Sequence, residues 1–282
     1  MVALLPAEFL EIASHLIGVD ELVSLGKLRD IQPVRRRRDD PLDPEKVPYL
    51  MPLTKYPDAK WIDLFCPGYL YESTHPSSLE FSRSQLFAMA AGVSNVANAR
   101  PHWNFKHGVS VDERPRRRIG VQFRATCAAR CLPFDKCTDV LKELIDQKYE
   151  VYYYDCVLPG FRVPDGVELG VGKTVPQVAE SVFQCDLVLT VDSFLFHLAA
   201  AVNTPAIGIF GPTDGGAADA SYTEHSTLEG HGTKCPIACN YNTAKGWNKI
   251  CRTTGCERML SITVDEITEA VQRHFALVDS EL

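Results

Sequence analysis

Between Ile119 and Phe210 the chain alternates short apolar runs with helical stretches, and this rhythm restricts the fold more than any other feature. The run at 119–123 reads as a strand, and 134–147 as a helix with Val140, Leu141, Leu144 and Ile145 on one face. A strand follows at 150–154, and Thr174 can cap a helix whose Val178, Val182 and Phe183 face inward. Then come a strand at 186–191, a helix at 193–202 and a strand at 206–210. Strands separated by helices must cross over, so the expectation is a set of βαβ units sharing one parallel sheet. Such sheets hold ligands beyond the carboxyl ends of their strands. The loops after Phe123, Val191 and Phe210 are therefore where chemistry is expected.

The rest of the chain reads less regularly. At the start, a strand at 2–5, a helix at 7–17 and a strand at 21–25 form one further βαβ unit. Residues 31–57 are rich in Pro and charge and read as a surface excursion, 61–65 as a buried strand, and 79–91 as a helix stopped by Gly92. The polar stretch 101–118 is the expected linker, which divides the chain into an N-terminal domain, 1–112, and a C-terminal domain, 113–282. At 282 residues the chain is long enough for two domains of roughly 100–200 residues each. The last helix, 261–275, opens with Thr263 and Glu266 at capping-box spacing.

With 29 Lys+Arg against 36 Asp+Glu the net charge is −7, which argues against a surface built for non-specific nucleic-acid or membrane binding. Arg35 to Arg38 and Arg114 to Arg118 are local exceptions that suit an anionic partner such as a phosphorylated lipid or a nucleic acid, but acidic neighbours at Asp39, Asp40, Asp112 and Glu113 favour solvated loop charge. No apolar run approaches the roughly 18 residues of a membrane span. The first residues have neither the charged segment nor the cleavage site of a signal peptide, so the chain is read as cytoplasmic.

Ten cysteines in a reducing compartment point to metal or plain burial rather than to a disulfide framework. Cys235, Cys239, Cys251 and Cys256 follow the pattern C-x3-C-x11-C-x4-C inside a Pro-, Gly- and Asn-rich segment, 230–256, with few apolar side chains. Four thiolates around one structural Zn or Fe ion would order that segment; reduced buried thiols or disulfides are the alternatives, and His225 and His231 are alternative ligands. Such an ion is expected to serve structure, away from the strand-end loops where chemistry is expected. Cys127, Cys131 and Cys137 read as structural.

Where the strand at 186–191 turns into a helix, Asp192 is expected as its N-cap, with Ser193 and His197 four apart on one face. That helix end suits a diphosphate, and the next strand end offers Gly211 for close approach, Pro212 for a fixed turn and the Thr213 hydroxyl as a donor.

The stretch 186–213, which contains Asp-Leu-Val-Leu-Thr-Val-Asp-Ser, then His-Leu-Ala-Ala-Ala-Val, then Phe-Gly-Pro-Thr, closely resembles the donor-domain signature of glycosyltransferase family 9, the ADP-heptose:lipopolysaccharide heptosyltransferases. The likeness extends more loosely to Ser82, Arg83 and Gly92. It implies an α/β fold of the GT-B type, two Rossmann-like domains facing a cleft, with an N-terminal domain that lacks the family's first strand. It also implies inverting transfer of a heptose or similar sugar from a nucleotide-diphosphate donor of the ADP-heptose kind, with no catalytic cofactor. Asp192, Ser193 and His197 match the family's nucleotide-sugar motif, and Gly211, Pro212 and Thr213 the loop beside it. Thr126 and Arg130 stand where the family has a hydroxyl and a Lys; a guanidinium grips a diphosphate in two-point fashion, unlike an ammonium. Phe194 stands in place of the family's Gly. On this reading Arg130, Asp192 and His197 are catalytic, while Thr126, Ser193, Gly211, Pro212 and Thr213 bind substrate. The acceptor is a glycolipid, a protein or DNA, and the base that takes its proton is expected in the N-terminal domain, with Asp63, Glu72 and His75 as candidates. A binding protein that retained the donor domain without the base is the non-catalytic alternative.

Overall fold

The structure is a computed structural model that describes residues 2–5, 21–24, 101–105, 110, 114–219, 222, 224–235, 238–239 and 255–280. The chain divides into two compact units, Met1–Ile62 with His102–Gly108, and Asp63–Pro101 with Val109–Leu282. In the first unit, β1 (Val2–Leu5) pairs in parallel with β2 (Glu21–Ser24), Val2 opposite Glu21. Parallel pairing of strands this close in sequence requires a crossover, as the sequence pattern anticipates. The helices expected at 7–17 and 79–91, the strand at 61–65, the 31–57 excursion and the first arginine run lie outside the described residues.

The second unit contains a six-stranded parallel sheet: β3 (Arg118–Gln122), β4 (Glu150–Asp155), β5 (Val167–Val171), β6 (Leu187–Val191), β7 (Ala206–Phe210) and β8 (His225–Glu229). Its order is β5-β4-β3-β6-β7-β8. The chain builds outward from β3 on one side, then crosses over and builds outward from β6 on the other. The order therefore reverses between β3 and β6, which opens a crevice at their carboxyl ends. Every residue of β6 and of β7 is buried, as central parallel strands covered on both faces should be. The edge strands β5 and β8 were not expected from the sequence: β5 has a single buried residue, Gly170, and β8 none, so neither shows a regular alternation.

Helices cover both faces. They are α1 (Phe134–Asp146), α2 (Val175–Phe183), α3 (Phe194–Val202), the short α4 (Gly215–Asp219) and α5 (Glu257–Ser261), and α6 (Val264–Ser280). On one face, Val140, Leu141 and Leu144 of α1 and Ile267, Val271 and Phe275 of α6 join Ile119, Val121, Leu187, Leu189, Ile207 and Ile209 of the strands in one core. Lys136 of α1 donates to the carbonyls of Leu260 and Ile262, 2.6 Å each, and so satisfies the end of α5 just before α6 begins. Thr174 caps α2, with Gln177 Oε1 accepting from its backbone N–H at 2.9 Å.

The last helix runs later than the sequence suggests, over 264–280, and 257–261 is a separate element. Its capping box forms as expected. Glu266 Oε2 accepts from the Thr263 backbone N–H (2.7 Å) and hydroxyl (2.8 Å), and Thr263 Oγ1 accepts from the Glu266 N–H at 3.1 Å. These bonds, the backbone one foremost, hold the Glu266 carboxyl below the usual value. A depressed carboxylate stabilises the fold at neutral pH and loses that contribution as pH falls through the folded-state value. Glu266→Gln should therefore flatten the acid side of the stability profile, and Thr263→Ala should cost about 1 kcal/mol at pH 7, both read by urea unfolding at stepped pH. An unchanged acid slope in Glu266→Gln would remove the cap from this account.

Candidate functional site

The reversal point brings together groups from three loops. After β3 the chain makes a single 3-10 turn, Ala128–Arg130, which carries Thr126 on its approach and Arg130 at its end. After β6 it passes through Asp192 into α3, and after β7 through Gly211, Pro212 and Thr213. Asp192, 62 residues from Arg130 and 21 from Thr213, is where the three loops meet. Its carboxylate is 4% exposed and lies 3.4 Å from Arg130 Nη1, while its backbone carbonyl accepts from the same Nη1 at 2.9 Å. Thr213 Oγ1 donates to Asp192 Oδ2 at 2.7 Å, and Arg130 Nη2 donates to Thr126 Oγ1 at 3.0 Å.

This arrangement corrects the reading of Asp192 as a helix cap. The N-cap of α3 is Ser193, which makes no side-chain cap bond, and the Asp192 carboxylate engages Arg130 and Thr213. An Asp just before a helix favours a local cap; here the partners brought by neighbouring strands take the carboxylate. The two other hydroxyls expected to face a ligand are also turned inward. Ser193 is buried, donating to Gln122 Oε1 at 2.5 Å and lying 3.0 Å from Thr190 Oγ1. Thr213 is only 3% exposed. Thr126, by contrast, is exposed, Arg130 is partly so, and Phe194 at the start of α3 is 45% exposed.

His197, one turn into α3, has its Nδ1 3.0 Å from the Tyr222 hydroxyl. Its ring also lies edge-on to Tyr222 at 5.9 Å and to Phe196 at 5.7 Å. Gln122 and Tyr222 thus orient Ser193 and His197, and sequence reading missed both. A Gln closing the apolar run Ile-Gly-Val was the available signal for the first. Gly211 is needed for space: a Cβ there would stand 2.9 Å from the backbone N and the Cβ of Met259.

Of the cysteine set, Cys251 lies outside the described residues. Cys256 is 4% exposed, belongs to the main core and is the N-cap of α5, so its end of the 230–256 segment is ordered by burial, contrary to the sequence reading. Burial pushes its thiol up, and the neighbouring Cys235 adds to the effect. Cys239 packs against the core, its Sγ 3.3 Å from the Pro212 carbonyl. Among the described residues no group of three or more His, Cys, Asp or Glu side chains is placed to hold a metal ion. The sulfur donors are of the chemical type that suits a soft ion. Elsewhere, Cys137 is buried and its thiol pushed up, as an inert structural thiol should be.

The second arginine run is structural charge. Arg114 pairs with Asp186 at 3.0 Å, Arg117 with Asp279, and Arg118 with Glu150 at 3.2 Å. Among the described residues no helix is long and apolar enough to cross a membrane.

Residues 164–242 match the family model of glycosyltransferase family 9 (heptosyltransferase). The fold is that of GT-B glycosyltransferases. A family 9 glycosyl transferase from Veillonella parvula DSM 2008 superposes with a TM-score of 0.63 at 13% identity, covering 98% of this chain and 88% of that one. The E. coli heptosyltransferase WaaC with ADP gives 0.58 at 14% identity, over 96% and 89% of the two chains. The dodecameric iron-containing heptosyltransferase TibC, in complex with ADP-D-beta-D-heptose, gives 0.54 at 15% identity, over 71% and 54%. No curated protein matches the chain.

Proposed function

We propose that this family 9-like glycosyltransferase takes its sugar from a nucleoside-diphosphate donor, one of the ADP-heptose kind, seated at the carboxyl ends of β3, β6 and β7. The observation that carries the reading is the guanidinium of Arg130, fixed at the reversal point by the buried Asp192 and by Thr126. In transfer, an acceptor hydroxyl attacks the anomeric carbon from the face opposite the diphosphate, the sugar–phosphate bond breaks, and the nucleoside diphosphate leaves with the electron pair. The acceptor proton passes to a base of the N-terminal domain. Arg130 and the amino end of α3 balance the charge that grows on the leaving diphosphate, which needs no catalytic metal. Thr126 contacts the same phosphates, Asp192 and Thr213 hold Arg130 and the loop after β7 in place, and His197 is aimed by Tyr222.

Arg130→Ala and Thr213→Ala should each weaken ADP or UDP binding by at least about 1 kcal/mol, the scale of one charge-assisted hydrogen bond. Incubation with a panel of nucleotide sugars in EDTA should release nucleoside diphosphate slowly without an acceptor. A strict requirement for added divalent ion would point to a different transferase chemistry.

For the cysteines, the proposal is one structural Zn or Fe ion held by Cys235, Cys239, Cys251 and Cys256; a neighbour by fold, TibC, is iron-containing. Such an ion would supply folding energy to the 230–256 segment. Elemental analysis of protein purified without added metal should show near one ion per chain, and Cys251→Ser should lower both metal content and melting temperature. A metal-free wild-type protein with the same melting temperature would end this part of the reading.

A further inference from the structure

Beneath the loop after β7 lies a charged pair to which the transfer chemistry assigns no part. Arg258, in the first turn of α5, is 4% exposed. Its Nε donates to the Gly211 carbonyl at 2.8 Å, and its Nη2 donates to Glu229 Oε2 at 3.0 Å. The other oxygen of Glu229, at the end of β8, accepts from the Gly215 backbone N–H at 2.9 Å. One guanidinium and one carboxylate therefore grip both ends of the five-residue loop that presents Thr213. The Cys239 thiol adds a third tie, to Pro212 at its second position.

Burying a guanidinium costs desolvation, and an apolar side chain would fill the space under a loop at least as cheaply. A planar fork does what an apolar group cannot, since its donors fix the direction of the Gly211 carbonyl and of the Glu229 carboxylate together. The consequence reaches the ligand-facing side. Thr213, between the two gripped glycines, bonds Asp192, and Asp192 holds Arg130. Gly230 shows how closely the clamp is packed: a Cβ there would overlap the carbonyl of Arg258.

We propose that Arg258 and Glu229 are positioning residues that set the diphosphate affinity of the site through the loop 211–215, without touching the ligand. This rests on the donor reading above. It also means that Cys256, the N-cap of the helix that carries Arg258, is joined to the donor loop rather than separate from it.

The test is calorimetric titration with paired probes, ADP against adenosine and UDP against uridine, for wild type, Arg258→Met, Arg258→Lys, Glu229→Gln and the exposed control Arg273→Ala. A positioning role predicts that Arg258→Met and Glu229→Gln weaken the diphosphate about tenfold and leave the nucleoside within about twofold, with Lys restoring part of the loss. Arg273→Ala should match the wild type. Where Arg258→Met does not fold, Glu229→Gln, nearly isosteric with the side chain it replaces, carries the same comparison. Folded variants that bind the diphosphate like the wild type, or lose diphosphate and nucleoside in equal proportion, overturn the inference and leave the donor reading intact. A wild type that binds the diphosphates no better than the nucleosides overturns the donor reading, and the inference with it.

Discussion

Asp192→Ala should abolish measurable nucleotide binding and lower the unfolding free energy by about 3 kcal/mol or more, read by urea denaturation. Both effects have one source. The carboxylate is 4% exposed and answers a guanidinium that is itself only 16% exposed. Removing one member of a buried pair leaves the other charge uncompensated, a loss of about 3–5 kcal/mol. Against a total stability of about 5–15 kcal/mol, that is a large fraction. Adding Arg130→Met to Asp192→Ala should return part of the stability and none of the binding, because it removes the stranded charge along with the phosphate-facing group. A double variant no more stable than Asp192→Ala would show that the pair does not carry this load.

Gly230→Ala should be nearly as damaging, costing about 3 kcal/mol or more in the same measurement. The Gly230 N–H donates to the Phe210 carbonyl at 3.0 Å, which holds the end of β8 in register with β7. A methyl group there would meet the backbone of Arg258, and that residue is fixed by Gly211 and Glu229. Neither backbone can yield without breaking a buried bond, so the cost falls at the upper end for overpacking. A loss under about 1 kcal/mol would mean that α5 can shift freely, which would also undermine the clamp on the donor loop.

What the sequence disclosed and what it hid follow from the range of the interactions. The runs at 187–191 and 206–210 are legible because strands buried on both faces must be apolar throughout. Thr263 and Glu266 are legible because a capping box is decided within four residues. Asp192 was misread as a cap, since its partners come from 62 and 21 residues away. Arg258 and Glu229, 29 residues apart, carry no local signal at all. The edge strands escaped for a different reason: β5 and β8 are too little buried to impose a pattern on their side chains. Cys256 shows the converse, a thiol whose spacing groups it with a loop and whose packing places it in the core.

The claim on which the rest depends is that a nucleoside diphosphate binds at the reversal point between β3 and β6. Calorimetric titration of the wild-type chain with ADP and with UDP tests it directly. The account predicts saturable one-to-one binding of at least one of them, weakened in Arg130→Ala and lost in Asp192→Ala. A wild-type chain that is folded and binds no nucleoside diphosphate would contradict it.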